Sequence, residues 1–108
     1  MNNDRILSFI SLARKAGKIK SGEFSTEEAV RQGKAYLVIV ASDASDNTRK
    51  HFDDMCRYRD LPFYIISDSL SLGRALGYDF RMSLAVTDQG FARSLEQKIQ
   101  AFMSSKEE

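Results

Sequence analysis

Six consecutive residues, Tyr36-Leu37-Val38-Ile39-Val40-Ala41, are apolar and strand-forming, with nothing polar between them. A strand with one wet face alternates polar and apolar residues, whereas an unbroken run suits a strand covered on both faces. Such a strand needs a layer on either side, and the rest of the chain supplies candidates for both. Phe63-Tyr64-Ile65-Ile66 and Met82-Ser83-Leu84-Ala85-Val86 read as further strands. Lys18-Ile19-Lys20 alternates like a short edge strand whose lysines discourage edge-to-edge pairing.

Helical patterns fill the intervals. Ile6, Phe9, Ile10 and Ala13 recur at helical spacing from about Asn3 to Ala16, and Gly17 follows as a natural stop. Ser25-Thr26-Glu27-Glu28 fits a capping box, so a second helix is expected to begin at Ser25 and end at Gly33. Ser45 or Asp46 should cap a third helix with Thr48, Phe52, Met55, Cys56 and Arg59 on one face. Leu61-Pro62 stops it, because the residue before proline avoids the helical region. Ser69 to Leu76 reads as a fourth helix ending at Gly77. Asp88 caps a fifth, striped by Phe91, Leu95, Ile99 and Phe102.

The expected fold class is α/β: a three-layer α/β/α sandwich with a mostly parallel, four-stranded mixed sheet. Each strand–helix–strand connection is long enough for a right-handed crossover. Tyr36–Ala41 should be central, and the core should contain Ile10, Leu37, Ile39, Phe52, Ile65, Leu84, Val86 and Leu95. One domain is expected over residues 1–108, with Ser104 to Glu108 as a frayed tail.

Composition excludes several function classes. One cysteine, Cys56, cannot form an internal disulfide, and with the single histidine, His51, it cannot build an ordinary zinc site. Neither a signal peptide nor an apolar run long enough for a bilayer is present, so a cytoplasmic location is expected. Asp53 and Asp54 are helix neighbours that point about 100° apart and cannot form a close carboxylate pair. No phosphate-loop or dinucleotide motif occurs. The expectation is a protein without enzymatic activity, cofactor or metal.

Net charge is only +1, but the charge is unevenly spread. Up to Tyr36 there are seven Lys/Arg against four acids, and Arg14, Lys15, Lys18 and Lys20 fall in an acid-free stretch. Such a cluster is either a nucleic-acid footprint or a helix end whose cations complement the dipole. The residues alone leave both readings open.

Several ordered segments carry a resemblance. They are Leu12-Ala13-Arg14-Lys15-Ala16-Gly17-Lys18, Ser21-Gly22, Ala29-Val30 with Gly33-Lys34-Ala35, Leu37 to Ala44, Leu72-Gly73-Arg74-Ala75-Leu76-Gly77 and Ala85 to Ala92. In this order and spacing the chain resembles the ribosomal-protein family of kink-turn RNA binders. These are the archaeal large-subunit protein seven group and its relatives, and the resemblance is closest to the bacterial YlxQ-like branch. It implies an α/β/α sandwich and a structured RNA, ribosomal or otherwise non-coding, as partner. The alternative on such a fold is a protein–protein module, with a protein partner or a second copy of the chain.

Carried onto this sequence, the family's RNA surface falls on the turn into the second helix and the loop before the last strand. With the basic cluster, the implied RNA-binding residues are Arg14, Lys15, Lys18, Lys20, Gly22, Glu23, Phe24, Ser25, Phe80, Arg81 and Met82. Kink-turn specialists place Asn and Glu where this chain has Phe24 and Ser25, and Lys where it has Glu28. The first two read guanine edges in sheared G·A pairs, so weak binding to a standard kink-turn, or none, is expected here. Phe24 is open to two readings: a base-stacking ring, or a hydrophobic staple or core residue.

Overall fold

The computed structural model describes residues 3–106. Nine elements follow one another: α1 (Asp4–Lys15), β1 (Ile19–Ser21), α2 (Glu23–Arg31), β2 (Leu37–Val40), α3 (Asp46–Arg59), β3 (Phe63–Ile65), α4 (Ser69–Leu76), β4 (Ser83–Val86) and α5 (Gln89–Lys106). The four strands form one mixed sheet in the order β1-β4-β2-β3.

All four residues of β2 are fully buried, and β2 lies inside the sheet between β4 and β3. Its side chains divide by parity, as a strand's must. Leu37 and Ile39 join Leu84 and Val86 against Ile6 and Ile10 of α1, Leu72 and Leu76 of α4, and Leu95 and Ile99 of α5. Val38 and Val40 join Ala85 against Ala29 and Val30 of α2 and Phe52 and Cys56 of α3. The sheet is therefore sandwiched between α1, α4 and α5 on one face and α2 and α3 on the other.

The balance of strand directions differs from the expectation of a mostly parallel sheet. Only β2 and β3 run parallel; β4 is antiparallel to both β1 and β2. The segment after α4 explains the reversal. The Tyr78 N–H donates to the Gly73 carbonyl at 2.8 Å, and the Arg81 N–H donates to the Ser69 carbonyl at 3.0 Å. Residues 78–81 thus fold back along α4 to its first residue, and β4 sets out from the end of the sheet where β3 finished. A connection long enough for a parallel crossover does not require one.

Three other expectations are corrected. Ile65 is 43% exposed and Ile66 takes the buried position. An unalternating run such as Phe63–Ile66 gives no parity by which to tell inside from outside. Ser25 is not a cap: α2 starts at Glu23, two residues earlier, with Gly22 at φ +92° as the N-cap and no side-chain cap bond. Ser104 to Lys106 continue α5 rather than fraying, while Glu107 and Glu108 lie outside the described residues. The Ser45 cap is present, its hydroxyl accepting from the Thr48 N–H at 3.1 Å, as is the Asp88 carboxylate accepting from the Phe91 N–H at 2.9 Å.

Candidate nucleic-acid interface

The start of α2 is fixed by its contacts with β4. The Gly22 N–H donates to the Ser83 carbonyl at 3.0 Å, the Thr26 N–H donates to the Gly22 carbonyl at 2.9 Å, and the buried Ser83 and Thr26 hydroxyls bond to each other at 3.2 Å. Because the fully buried Thr26 already closes a helical bond to the Gly22 carbonyl, the helix begins before Ser25. Glu23, Phe24 and Ser25 fill its first turn. Their N–H groups have no intrahelical acceptor and no side-chain cap. The helix therefore presents uncapped donors and the positive end of its dipole to whatever approaches. Phe24, at 77% exposure, is neither core nor staple; the half-buried Ser25 is an ordinary first-turn residue.

The loop before β4 is drawn to this turn by one side chain. Arg81 Nε donates to Ser21 Oγ at 3.0 Å, across 60 residues of sequence. Its guanidinium carbon stands 3.5 Å from the centroid of the Tyr78 ring, a cation–π stack. A Cβ on Gly22 would lie 3.8 Å from Arg81 Nε, so turn and loop are in van der Waals reach. Beneath the loop, Gly73 of α4 meets backbone directly: a Cβ there would stand 2.5 Å from the Phe80 Cα. Tyr78 and Phe80 are left about half exposed on the outside. The result is a face with two exposed loop rings, a pinned guanidinium and an uncapped helix end.

The remaining implied residues are divided. Arg14, near the end of α1, places its guanidinium beside Gly77, the left-handed cap of α4, where a Cβ would come within 3.1 Å of Nη2. It thus borders the Tyr78–Arg81 loop and faces the negative end of the α4 dipole. Lys20 lies on the other flank, in a groove of about 490 Å³ shared with Ser25, Glu28, Gln32, Lys34 and Tyr36. Lys15, the last residue of α1, and Lys18, in the turn between α1 and β1, are both exposed. Met82 is half buried against both cores, and its carbonyl accepts from the Ala41 N–H at 2.8 Å, so its part is to seat β4 rather than to offer a surface. Ser21 enters the resemblance only beside Gly22, and nothing in the sequence pattern points to its bond with Arg81. Gly73 carries a signal, since a glycine inside a helical pattern costs about 1 kcal/mol relative to alanine and so calls for a packing reason.

Elsewhere the described residues offer little chemistry. Burial pushes the Cys56 thiol up to about 11, with the Asp53 charge adding to the effect, so it is a protonated core group. His51 Nε2 lies 3.1 Å from Glu27 Oε1, and Glu27 also pairs with Arg31, tying α3 to α2. No cluster of three metal-ligating side chains occurs among the described residues, and none of their helices is long and apolar enough to cross a membrane.

The family profile of the ribosomal protein L7Ae/L30e/S12e/Gadd45 group matches residues 4–96. The chain belongs to this L7Ae family. It is 41% identical over 86 residues to a Bacillus subtilis (strain 168) protein named RNA-binding protein YlxQ, covering 80% of this chain and 86% of that one. An Enterococcus faecium protein of the same name is 32% identical over 99 residues, covering 92% and 95%. Two solved structures share the L7Ae-type fold. A Bacillus halodurans protein described as of unknown function superposes with a TM-score of 0.85 at 36% identity, covering 88% of this chain and 96% of that one. A Giardia lamblia 15.5kD RNA binding protein gives 0.75 at 25% identity, covering 88% and 84%.

Proposed function

We propose that this protein binds structured RNA, ribosomal or otherwise non-coding, in the cytoplasm, and carries out no reaction on it. The observation that carries the reading is the Arg81–Ser21 bond, which joins the turn into α2 and the loop before β4 into one face. Those are the two segments on which the family resemblance puts RNA contacts. The names of the YlxQ relatives and of the Giardia protein support the same class of ligand.

Each part of the face has an RNA counterpart. The free N–H groups at Glu23, Phe24 and Ser25 suit a phosphate oxygen. The exposed rings of Phe24 and Phe80 suit unpaired bases, which is how folded RNA is commonly read. Arg14, Lys15, Lys18 and Lys20 supply salt-sensitive attraction from either side.

A salt titration of RNA affinity tests the reading. The RNA is that recovered with the full chain from cells, and the comparison is with a Lys18→Glu, Lys20→Glu double variant, using circular dichroism to confirm folding. The variant should bind more weakly. Its dependence of log affinity on log salt should flatten by roughly one unit for each phosphate that the variant no longer neutralises. A folded variant with unchanged affinity and slope would reduce the basic cluster to a helix end and favour a protein partner instead.

A further inference from the structure

Arg81 is restrained in a way that leaves part of it free. Nε is committed to Ser21 Oγ at 3.0 Å, and one face of the guanidinium is covered by the Tyr78 ring at 3.5 Å. Nη1 makes only a long 3.4 Å approach to the Phe80 carbonyl, and among the described residues Nη2 has no partner. The plane of the group is therefore set before any ligand arrives, and its Nη edge remains available. An edge with two parallel donors matches either two oxygens of a phosphate or the O6 and N7 acceptors of guanine.

The surroundings distinguish the two. Asp79 precedes Arg81 by two residues and is exposed. Its carboxylate repels a phosphate but not a neutral base. Phe80, whose carbonyl Nη1 approaches, is 53% exposed and offers beside the fork an apolar ring that a base can stack on and a phosphate cannot. We infer that Arg81 is a preset fork that reads the O6/N7 edge of one unpaired guanine. This rests on the RNA-binding reading of the same face and supplies a base selection that Phe24 and Ser25 cannot make.

The test is a selection with the full chain on an RNA hairpin library with a randomised loop. The parent protein should enrich loops that share a guanine at one position. Replacing that guanine by 7-deazaguanine, which lacks the N7 acceptor, should weaken binding by about tenfold or more. Arg81→Lys keeps the charge and should lose the guanine preference. Ser21→Ala and Tyr78→Leu leave the arginine in place but release it; they should also blur the preference while salt-dependent affinity persists. Thermal melts check that each variant folds, and Ser21→Ala is the mildest of the three. An enriched pool without a shared guanine, or a preference unchanged in folded Arg81→Lys, overturns the fork and leaves RNA binding standing. If nothing enriches above background, RNA binding itself fails and the fork falls with it.

Discussion

Replacing Gly73 by alanine sets helix propensity against packing. Gly73 lies inside α4 with no positive φ, so propensity alone favours alanine by about 1 kcal/mol. The new Cβ, however, would stand 2.5 Å from the Phe80 Cα, 2.7 Å from its nitrogen and 2.9 Å from the Asp79 carbonyl carbon. Ordinary carbon–carbon contact needs roughly 3.5 Å, so the loop must retreat by about 1 Å. These are backbone atoms with no rotamer to yield. Overpacking of this kind costs about 1–3 kcal/mol, and the loop hydrogen bonds to Gly73 and Ser69 are worth about 1 kcal/mol each if they break. The net expectation is a loss of about 1–3 kcal/mol, measured by urea denaturation followed by circular dichroism. The melting temperature should fall by roughly 4–8 °C per kcal/mol. Because the same loop carries Arg81, RNA affinity should fall at temperatures where the variant is fully folded. A variant stabilised by the propensity difference, with unchanged RNA affinity, would refute the close packing of loop on helix and its role in seating Arg81.

Three further variants follow from the site and the caps. Ser45→Ala should destabilise by about 0.5–2 kcal/mol because it removes a cap bond, whereas Ser25→Ala should change stability by less than about 0.5 kcal/mol; equal losses in denaturant melts would restore Ser25 as a cap. The chain should bind a standard kink-turn weakly, and the triple change Phe24→Asn, Ser25→Glu, Glu28→Lys should raise that affinity in gel-shift or calorimetric titrations. Tight, specific binding of a kink-turn by the unmodified chain would contradict this.

The layering was legible because Tyr36–Ala41 leaves no polar face for a strand to show to water, and the structure buries all of Leu37–Val40. The fourth helix was legible through its stop: Gly77 ends it in the left-handed region, while the Asp68 cap, accepting from the Ser71 N–H, went unread. Strand direction was not legible. It depends on residues 78–81 folding back along α4, through hydrogen bonds between backbone groups that every residue carries. The start of α2 was misplaced for a similar reason: Ser25 to Glu28 has the right side chains for a capping box, but the tertiary anchor at Thr26 outweighs local capping. Of the candidate site, the family resemblance supplied the two segments. Their joining did not show in the sequence, because the Ser21–Arg81 bond spans 60 residues and involves types common on any surface. Phe24 could not be assigned either, since an exposed aromatic and a staple have the same sequence signature.

The central claim is that RNA lies across the Gly22 turn and the Tyr78–Arg81 loop. Ultraviolet crosslinking of the full chain to RNA in cells, followed by mass spectrometry of the nucleotide-bearing peptides, tests it most directly, because exposed aromatic rings stacked on bases are placed to crosslink. Trypsin releases the two segments as Ser21–Arg31, which contains Phe24, and Ala75–Arg81, which contains Tyr78 and Phe80. The account predicts that adducts concentrate on these two peptides. Adducts confined to the opposite side, on α3 and β3 with the exposed Tyr58 and Ile65, or no adducts at all, would contradict it.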